Sequence, residues 1–337
     1  MMDLLFLECD LLNATELNLH STITAHSFYL KLGFVDSAPM TTVIINNASV
    51  RCTPMKLKYK AMKEKILNMD TVAKTSLLTA AMRAVESRRS ESEGRLFSDP
   101  YAEVLAGAEG FSLLEKAIAA AGDQPAIAIR TAYMDSRIES ALKLGVRQFV
   151  FLAAGMDSRA FRMTFPSCTK IFELDRKEVF NYKQEKLKNI DPKCERITLA
   201  VDLKDEWTNK LIEAGLKTHE PTLWLVEGLL MYLKESQVTN LLNQINQLAS
   251  TNDIMLFDIL TRTLIEAPYM QNQLQFLESI GAPWYFGVNE PEEFMKKFGW
   301  DAVATQASEF APTRWPFPTV PRNVPNVPRG FYIEARK

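Results

Sequence analysis

The chain has 337 residues, 41 acidic against 39 basic side chains, a net charge of −2 and 47% hydrophobic content. This is the make-up of a globular protein long enough for two domains, and its near-neutral balance gives no reason to expect a polyanion such as nucleic acid as a partner. The four cysteines, Cys9, Cys52, Cys168 and Cys194, are scattered with no CxxC pair or Cys/His cluster, so no metal site is expected and the thiols read as reduced, in a cytoplasmic protein.

The opening residues, MMDLLFLECDLL, lack a basic lead and carry Asp3, Glu8 and Asp10, which makes a poor secretory signal. No apolar run approaches the ~20 residues that span a bilayer, so no membrane association is expected. Residues 1–57 read as a short α+β appendage, apolar over residues 4–7. Residues 17–21 alternate as a strand does, and residues 22–32 have helical spacing with Ala25, Phe28, Tyr29 and Leu32 on one face and Gly33 as the cap. Residues 43–50 make a second strand. Such a fragment is too small to bury a solid core alone.

Residues 58–337 read as a second domain. Residues 58–74 form a basic connecting segment, and residues 75–88 a helix with Leu78, Ala81, Met82 and Val85 on one face. Asp99 followed by Pro100 marks a helix entry. Further helices are expected over 111–121 and 126–144, the latter carrying Arg130 and Asp135 and ending at Gly145. Strand and helix then alternate. Strands are expected at 149–154, 170–174, 196–201, 222–226, 253–259, 301–306 and 331–335, with an amphipathic helix at 234–248. Residues 266–298 read as a helical lid. The proline density between Pro312 and Pro328 excludes helix or central strand there. The fold class is therefore α/β, a doubly wound sheet preceded by helices.

The centre of this pattern is QFVFLAAGMDSRAFR, residues 148–162: a buried strand, a tight turn at Gly155 and the start of a helix. Polar residues recur at the ends of four successive strands, Gly155, Asp175, Asp202 and Glu227. A parallel sheet puts those ends on one edge, lining one crevice. Asp175, about 20 residues after the glycine turn, sits where an acid takes ribose hydroxyls. Asp202 is placed for an adenine amino group, with Leu203 offering a backbone N–H and an apolar wall. The turn has one glycine instead of the G-x-G-x-x-G that surrounds a pyrophosphate. That argues against a nicotinamide oxidoreductase and for S-adenosylmethionine, which has no phosphate. Arg130 is a candidate for a forked grip on the cofactor carboxylate.

Two resemblances add to this reading. FLAAGMDSRAFR, ELD ending at Asp175, VDL ending at Leu203 and EGLLMYL from Glu227, together with TVAKTSLLTAAMRAVESR, FSDPYAE and the final VPRGFYIEARK, resemble the leucine carboxyl methyltransferase family, most closely its bacterial branch of S-adenosylmethionine-dependent methyltransferases. The resemblance covers roughly residues 60–337. It implies a class I methyltransferase, Rossmann-like sheet with a helical cap, and cofactor contacts at Arg130, Gly155, Asp175, Asp202, Leu203 and Glu227, with Lys74 as a further contact. Ala153 departs from the pattern, standing where many members carry a first glycine. Near the other end, LNLHSTITAHSFYLKLGF resembles the C-terminal motif of the GCN5-related N-acetyltransferases. This implies a partial acetyltransferase-like segment in residues 1–57, with Tyr29 at the position of the proton-donating tyrosine. The upstream pyrophosphate loop of that fold is missing.

The implied reaction is methyl transfer to an oxygen, a carboxylate or hydroxyl of a small-molecule or peptide acceptor. A carboxylate is already ionised at neutral pH and needs no strong base. This agrees with the histidines, His20, His26 and His219, which fall in the appendage or a polar loop. Arg314, Arg322 and Arg329 are candidates to hold an anionic acceptor. Two alternatives stay open: a fusion with residual acetyltransferase activity, and a non-catalytic cofactor-binding module whose appendage docks a partner. Catalytic residues, acceptor and oligomeric state are not encoded in any recognisable motif.

Overall fold

The computed structural model describes residues 16–45, 48–57, 71–122 and 125–337. The apolar run at residues 4–7 and residues 58–70 of the expected connector lie outside the described residues, whereas residues 71–74 of that connector are the start of a helix. The chain divides into two compact units, with the boundary between Met69 and Asp70.

The first unit is built on a long strand. β1 (Leu17–Thr22), α1 (His26–Lys31), β2 (Val35–Asp36) and β3 (Thr41–Ile45) precede β4 (Ala48–Leu57). The ten residues of β4 pair antiparallel with β3 along their first half and with β1 and β2 along their second. The expected strand at 43–50 is thus split between β3 and β4. The helix is shorter than its spacing suggested, because Thr22 stays in the β1 ladder and a turn intervenes. Gly33, at φ +91°, takes the left-handed conformation that ends α1. Among the described residues, Phe34, Met55 and Leu57 form a core cluster, with Leu17, Leu19, Tyr29 and Leu32 packed against it.

The second unit opens with three helices, α2 (Thr71–Arg88), α3 (Ala102–Ala121) and α4 (Ala126–Lys143). Helix α3 starts after Asp99, whose carboxylate accepts from the backbone N–H of Tyr101 at 3.1 Å. A methyl group on Gly110 would lie 2.5 Å from the Leu77 carbonyl oxygen; this glycine lets α2 and α3 pack closely. The chain continues through β5 (Gln148–Leu152), α5 (Arg159–Arg162), β6 (Lys170–Asp175), α6 (Lys177–Lys186), β7 (Glu195–Ala200), α7 (Thr208–Glu213), β8 (Thr222–Val226), α8 (Glu235–Leu248) and β9 (Ile254–Leu260). It closes with α9 (Arg262–Ile265), α10 (Gln271–Ser279), α11 (Pro291–Lys296), β10 (Asp301–Gln306), α12 (Ala307–Phe310) and β11 (Gly330–Arg336).

The seven strands stand in the order β10-β11-β9-β8-β5-β6-β7. Strands β7, β6, β5, β8 and β9 are parallel, and β11 and β10 are antiparallel additions at one edge. β5 and β8 are buried along their whole length, which is why both read as continuous apolar runs. Helix α8 turns Val238, Leu241, Leu242, Ile245 and Leu248 into the core, the spacing of one helical face. The chain steps outward from β5 to β7 and returns to β8 on the other side of β5. That reversal opens a crevice at the carboxyl ends of β5 and β8. Among the described residues no helix is long and apolar enough to cross a membrane.

Candidate active site

A cavity of about 480 Å³ lies at this crevice, within the usual size of a small-molecule site. Arg130, Gly155, Asp175, Asp202, Leu203 and Glu227 all line it. Ala73, Thr75 and Ser76 of α2 line it as well, whereas Lys74 does not.

The glycine turn begins at Ala153, whose φ of +53° lies in the left-handed region. A residue with a Cβ is strained there by about 1–2 kcal/mol, so the alanine that departs from the family pattern carries a conformational cost. Gly155 follows at φ +47°, and a methyl group on it would lie 2.9 Å from Ser76 Cβ. Its N–H donates to Asp175 Oδ2 at 2.6 Å, and the Arg176 N–H donates to Asp175 Oδ1 at 2.7 Å. Burial pushes the Asp175 carboxyl up to about 6, with these two N–H donors opposing the rise. Asp202 accepts from the Lys204 N–H at 3.0 Å and pairs with Arg176 at 3.3 Å.

Beneath the other end of the cavity lies a continuous lattice of buried charge. Arg83 Nε donates to Asp99 at 3.0 Å, and Arg162 Nε lies 3.9 Å from the same carboxylate. Arg162 also donates to Asp135 at 2.8 Å, and Arg159 Nε donates to Asp135 at 2.6 Å. Arg159 Nη1 bonds to Asp157 and reaches Glu227 Oε2 at 2.8 Å. Arg130 Nε donates to Glu227 Oε1 at 3.0 Å, and its Nη1 to Asp258 at 2.9 Å. Burial alone would raise the Glu227 carboxyl, but the Arg159 and Arg130 guanidiniums outweigh it and hold it below the ordinary range. The same balance of burial against Arg159 lowers Asp157. Five carboxylates against four guanidiniums leave this lattice with one formal negative charge.

The geometry refines the reading of Arg130. Two of its donor nitrogens are committed to carboxylates of the chain, and Nη2 lies where a methyl group on Gly228 would stand 3.1 Å away. Beside it in sequence, Thr131 also lines the cavity, and its hydroxyl is buried with no partner among the described residues. The arginines of the proline-rich loop do not line the cavity. Arg314 grips Glu86 through two nitrogens at 3.0 and 2.7 Å, Arg322 grips Glu292 at 2.7 and 2.8 Å, and Arg329 donates to backbone carbonyls of its own loop. Each is an internal tie of the fold. No histidine lines the cavity. The described residues contain no group of three His, Cys, Asp or Glu able to hold a metal ion.

Sequence reasoning did not single out Arg159, Arg162, Asp258, Thr131 or Trp284, all of which lie in or under this site. The sequence does carry one sign of the lattice: charged residues recur within otherwise apolar helices, as in α4 and α5.

The leucine carboxyl methyltransferase family model matches residues 76–246. A protein of Mycolicibacterium smegmatis is 31% identical over 263 residues, which is 71% of this chain and 86% of that one. Another, from Parafrankia sp., is 37% identical over 189 residues, 53% of this chain and 60% of that relative's length. Both carry names that assign them as S-adenosyl-L-methionine-dependent methyltransferases. Two solved structures share the fold: a protein from Thermobifida fusca named as a methyltransferase (TM-score 0.52, 18% identity, 70% of this chain and 92% of that one), and a DUF574 family protein from Streptomyces avermitilis (TM-score 0.51, 13% identity, 70% and 95%). The chain belongs to the leucine carboxyl methyltransferase family, and with it to the S-adenosylmethionine-dependent methyltransferases.

Proposed function

We infer that this chain transfers a methyl group from S-adenosylmethionine to an oxygen, and that the oxygen belongs to a carboxylate of a small molecule or peptide. The observation that carries the choice of a carboxylate is that the wall of the cavity offers no free base. Its acids Asp157 and Glu227 are locked onto guanidiniums, and the other acids that line it among the described residues, Asp175 and Asp202, accept from backbone N–H groups at the ends of β6 and β7. His219 is exposed in the loop before β8. A hydroxyl would have to lose its proton to a group the wall does not provide; a carboxylate arrives ionised.

The residues fit the cofactor. Asp175 is placed for the ribose hydroxyls, Asp202 and Leu203 for the adenine, and the bare backbone at Gly155 for close approach. The remaining Nη2 of Arg130 suits the methionine carboxylate. The net negative charge of the lattice, with Asp157 and Glu227 lining the cavity, favours a cation above it. The cofactor supplies a methyl group on a sulfonium: as the new C–O bond forms, the C–S bond breaks, leaving a thioether and a methyl ester with no proton moved. The chain's part is alignment, charge and exclusion of water.

The test uses S-adenosylmethionine labelled in its methyl group and a mixture of small-molecule and peptide acceptors. Mild alkali releases methanol from methyl esters and leaves ethers intact. Label released by alkali is the expected result. Label that resists alkali would point to a hydroxyl acceptor, and binding of cofactor without any transfer would favour the non-catalytic module.

The acetyltransferase-like reading of the first unit finds no support in the comparisons. Tyr29 stacks edge-on against Phe28 and Phe34, at 5.3 and 5.6 Å between ring centres, which is a packing role. The family match begins at residue 76, outside this unit.

A further inference from the structure

A second buried group of charges lies below the strand end that carries Asp175. Glu173 on β6 and Lys183 on α6 are both fully buried, and Lys183 Nζ donates to Glu173 Oε2 at 2.8 Å. Arg196 of β7 grips the same carboxylate, from Nε to Oε1 at 2.9 Å and from Nη2 to Oε2 at 2.6 Å. Two cations therefore share one carboxylate, and the group carries one net positive charge. A forked arginine by itself satisfies a carboxylate, and taking a further cation out of water is costly. Lys183 is surplus to that pair, and its place needs another reason.

The reason lies one pleat further along β6. Side chains two residues apart on a strand stand on the same face, roughly 7 Å from one another. Asp175 thus follows Glu173 on the face that α6 covers, with its oxygens held by the Gly155 and Arg176 N–H groups. Asp157, bonded to Arg159, comes from the turn after β5, and Arg176 and Asp202 pair with each other at the half-buried rim. Among these charges Lys183 works against the burial that pushes Asp175 up to about 6, whereas Glu173 adds to the rise. Burial raises Asp157 as well, and Arg159 followed by Lys183 outweighs it. Burial draws the Lys183 ammonium down, and Glu173 and Asp157 hold it up.

We propose that Lys183 is a positioning residue for the cofactor: its surplus positive charge, buried beneath the strand end, keeps the Asp175 carboxylate ionised for the ribose hydroxyls near neutral pH. This rests on Asp175 holding the ribose, as argued above. An ionised carboxylate accepts from two hydroxyls, whereas a protonated one commits an oxygen as a donor. Lys183 has no exposed surface and touches no ligand. It acts through the field across a site shielded from water, where one charge is felt over several ångströms. An ammonium held back on Glu173 adds that charge without occupying the oxygens of Asp175, which stay available to the cofactor.

The test is calorimetric titration of the full chain with S-adenosylhomocysteine across about pH 5 to 8.5, on wild type, Lys183→Met and the double variant Lys183→Met with Glu173→Gln. Arg196 keeps Glu173 paired in the single variant, so no buried carboxylate is left alone. The group's net charge falls from positive to zero in the single variant and returns to its original value, through Arg196, in the double. Wild-type affinity should rise through about pH 6. In Lys183→Met the midpoint should move up by about one pH unit. Affinity is then about fivefold lower at pH 6, about twofold lower at pH 7 and equal to wild type above about pH 8. The double variant should recover most of the shift. Lys183→Gln, which keeps a hydrogen bond to Glu173, takes the place of Lys183→Met should that variant not fold, with the same shift expected. An unmoved midpoint, a loss equal at every pH, or a double variant no nearer to wild type than the single would each overturn the proposal and leave Lys183 a packing role. Wild-type protein that does not bind S-adenosylhomocysteine at any pH would overturn the methyltransferase site itself.

Discussion

The two units of the chain treat charge in opposite ways. The second unit buries a lattice of nine charged groups beneath its crevice, every one of them paired. Among the described residues of the first, His26 stands 2.7 Å from Asp36 at the surface, over a core cluster of Phe34, Met55 and Leu57. The first also leaves Ile23, Phe28, Val35 and Ile44 more than half exposed. Burying a charge costs several kcal/mol even when it is paired, and only a large, rigid core can impose that arrangement. A charge-bearing site is therefore expected in the second unit.

The strongest way to break this comparison is Arg159→Ala. It takes from Asp135, Asp157 and Glu227 the guanidinium they share, and uncompensated buried charge costs about 3–5 kcal/mol. The denaturant midpoint of the second unit should fall accordingly; a change under about 1 kcal/mol would mean the lattice behaves like surface charge. Met55→Ala, by contrast, removes one of the three central side chains of the first unit, a loss of about 2–5 kcal/mol. Amide exchange over residues 17–57 should then lose protection while the denaturant midpoint of the second unit stays in place. A shared loss would contradict independent cores.

A pH profile sharpens the contrast further. Burial raises the folded Asp175 carboxyl from its ordinary 3.8 to about 6, so the folded state holds that proton more tightly than the unfolded chain. This group's stabilisation is complete below about pH 4 and is lost as pH rises to about 6, on the order of 2–3 kcal/mol in all. Asp175→Asn should flatten that part of the stability curve. Cofactor affinity should run the opposite way, rising through about pH 6 as the carboxylate ionises. The smallest effects belong to the turn. Gly155→Ala should cost about 1–3 kcal/mol, through its positive φ and the clash with Ser76. Ala153→Gly should fall within about 1 kcal/mol of wild type, as relief of strain is offset by a more flexible unfolded chain. Thermal denaturation of the pair reads both.

Much of this was legible in the sequence because parallel strands buried on both faces write themselves as short apolar runs. The expected strands at 170–174 and 222–226 fall on β6 and β8 to within a residue. The residues at their carboxyl ends converge because the topology leaves them no other edge. What was not legible is pairing across distance. Arg130 finds its carboxylates 97 and 128 residues away, and nothing local distinguishes it from Arg314, whose partner Glu86 is 228 residues away. Read from spacing, Arg314, Arg322 and Arg329 resemble ligands for an anion, whereas each is an internal tie. The helical lid expected over 266–298 has longer helices only at 271–279 and 291–296. The extended stretch between them, rich in Gly and aromatic residues, is where Trp284 enters the cavity.

The most direct measurement is calorimetric titration of the full chain with S-adenosylmethionine, with acetyl-coenzyme A as a second ligand and Asp175→Ala alongside. The account predicts saturable binding of S-adenosylmethionine, weakened at least tenfold in Asp175→Ala by loss of a charged hydrogen-bond acceptor, and no heat from acetyl-coenzyme A. Binding of acetyl-coenzyme A alone, or S-adenosylmethionine binding indifferent to Asp175, would contradict it.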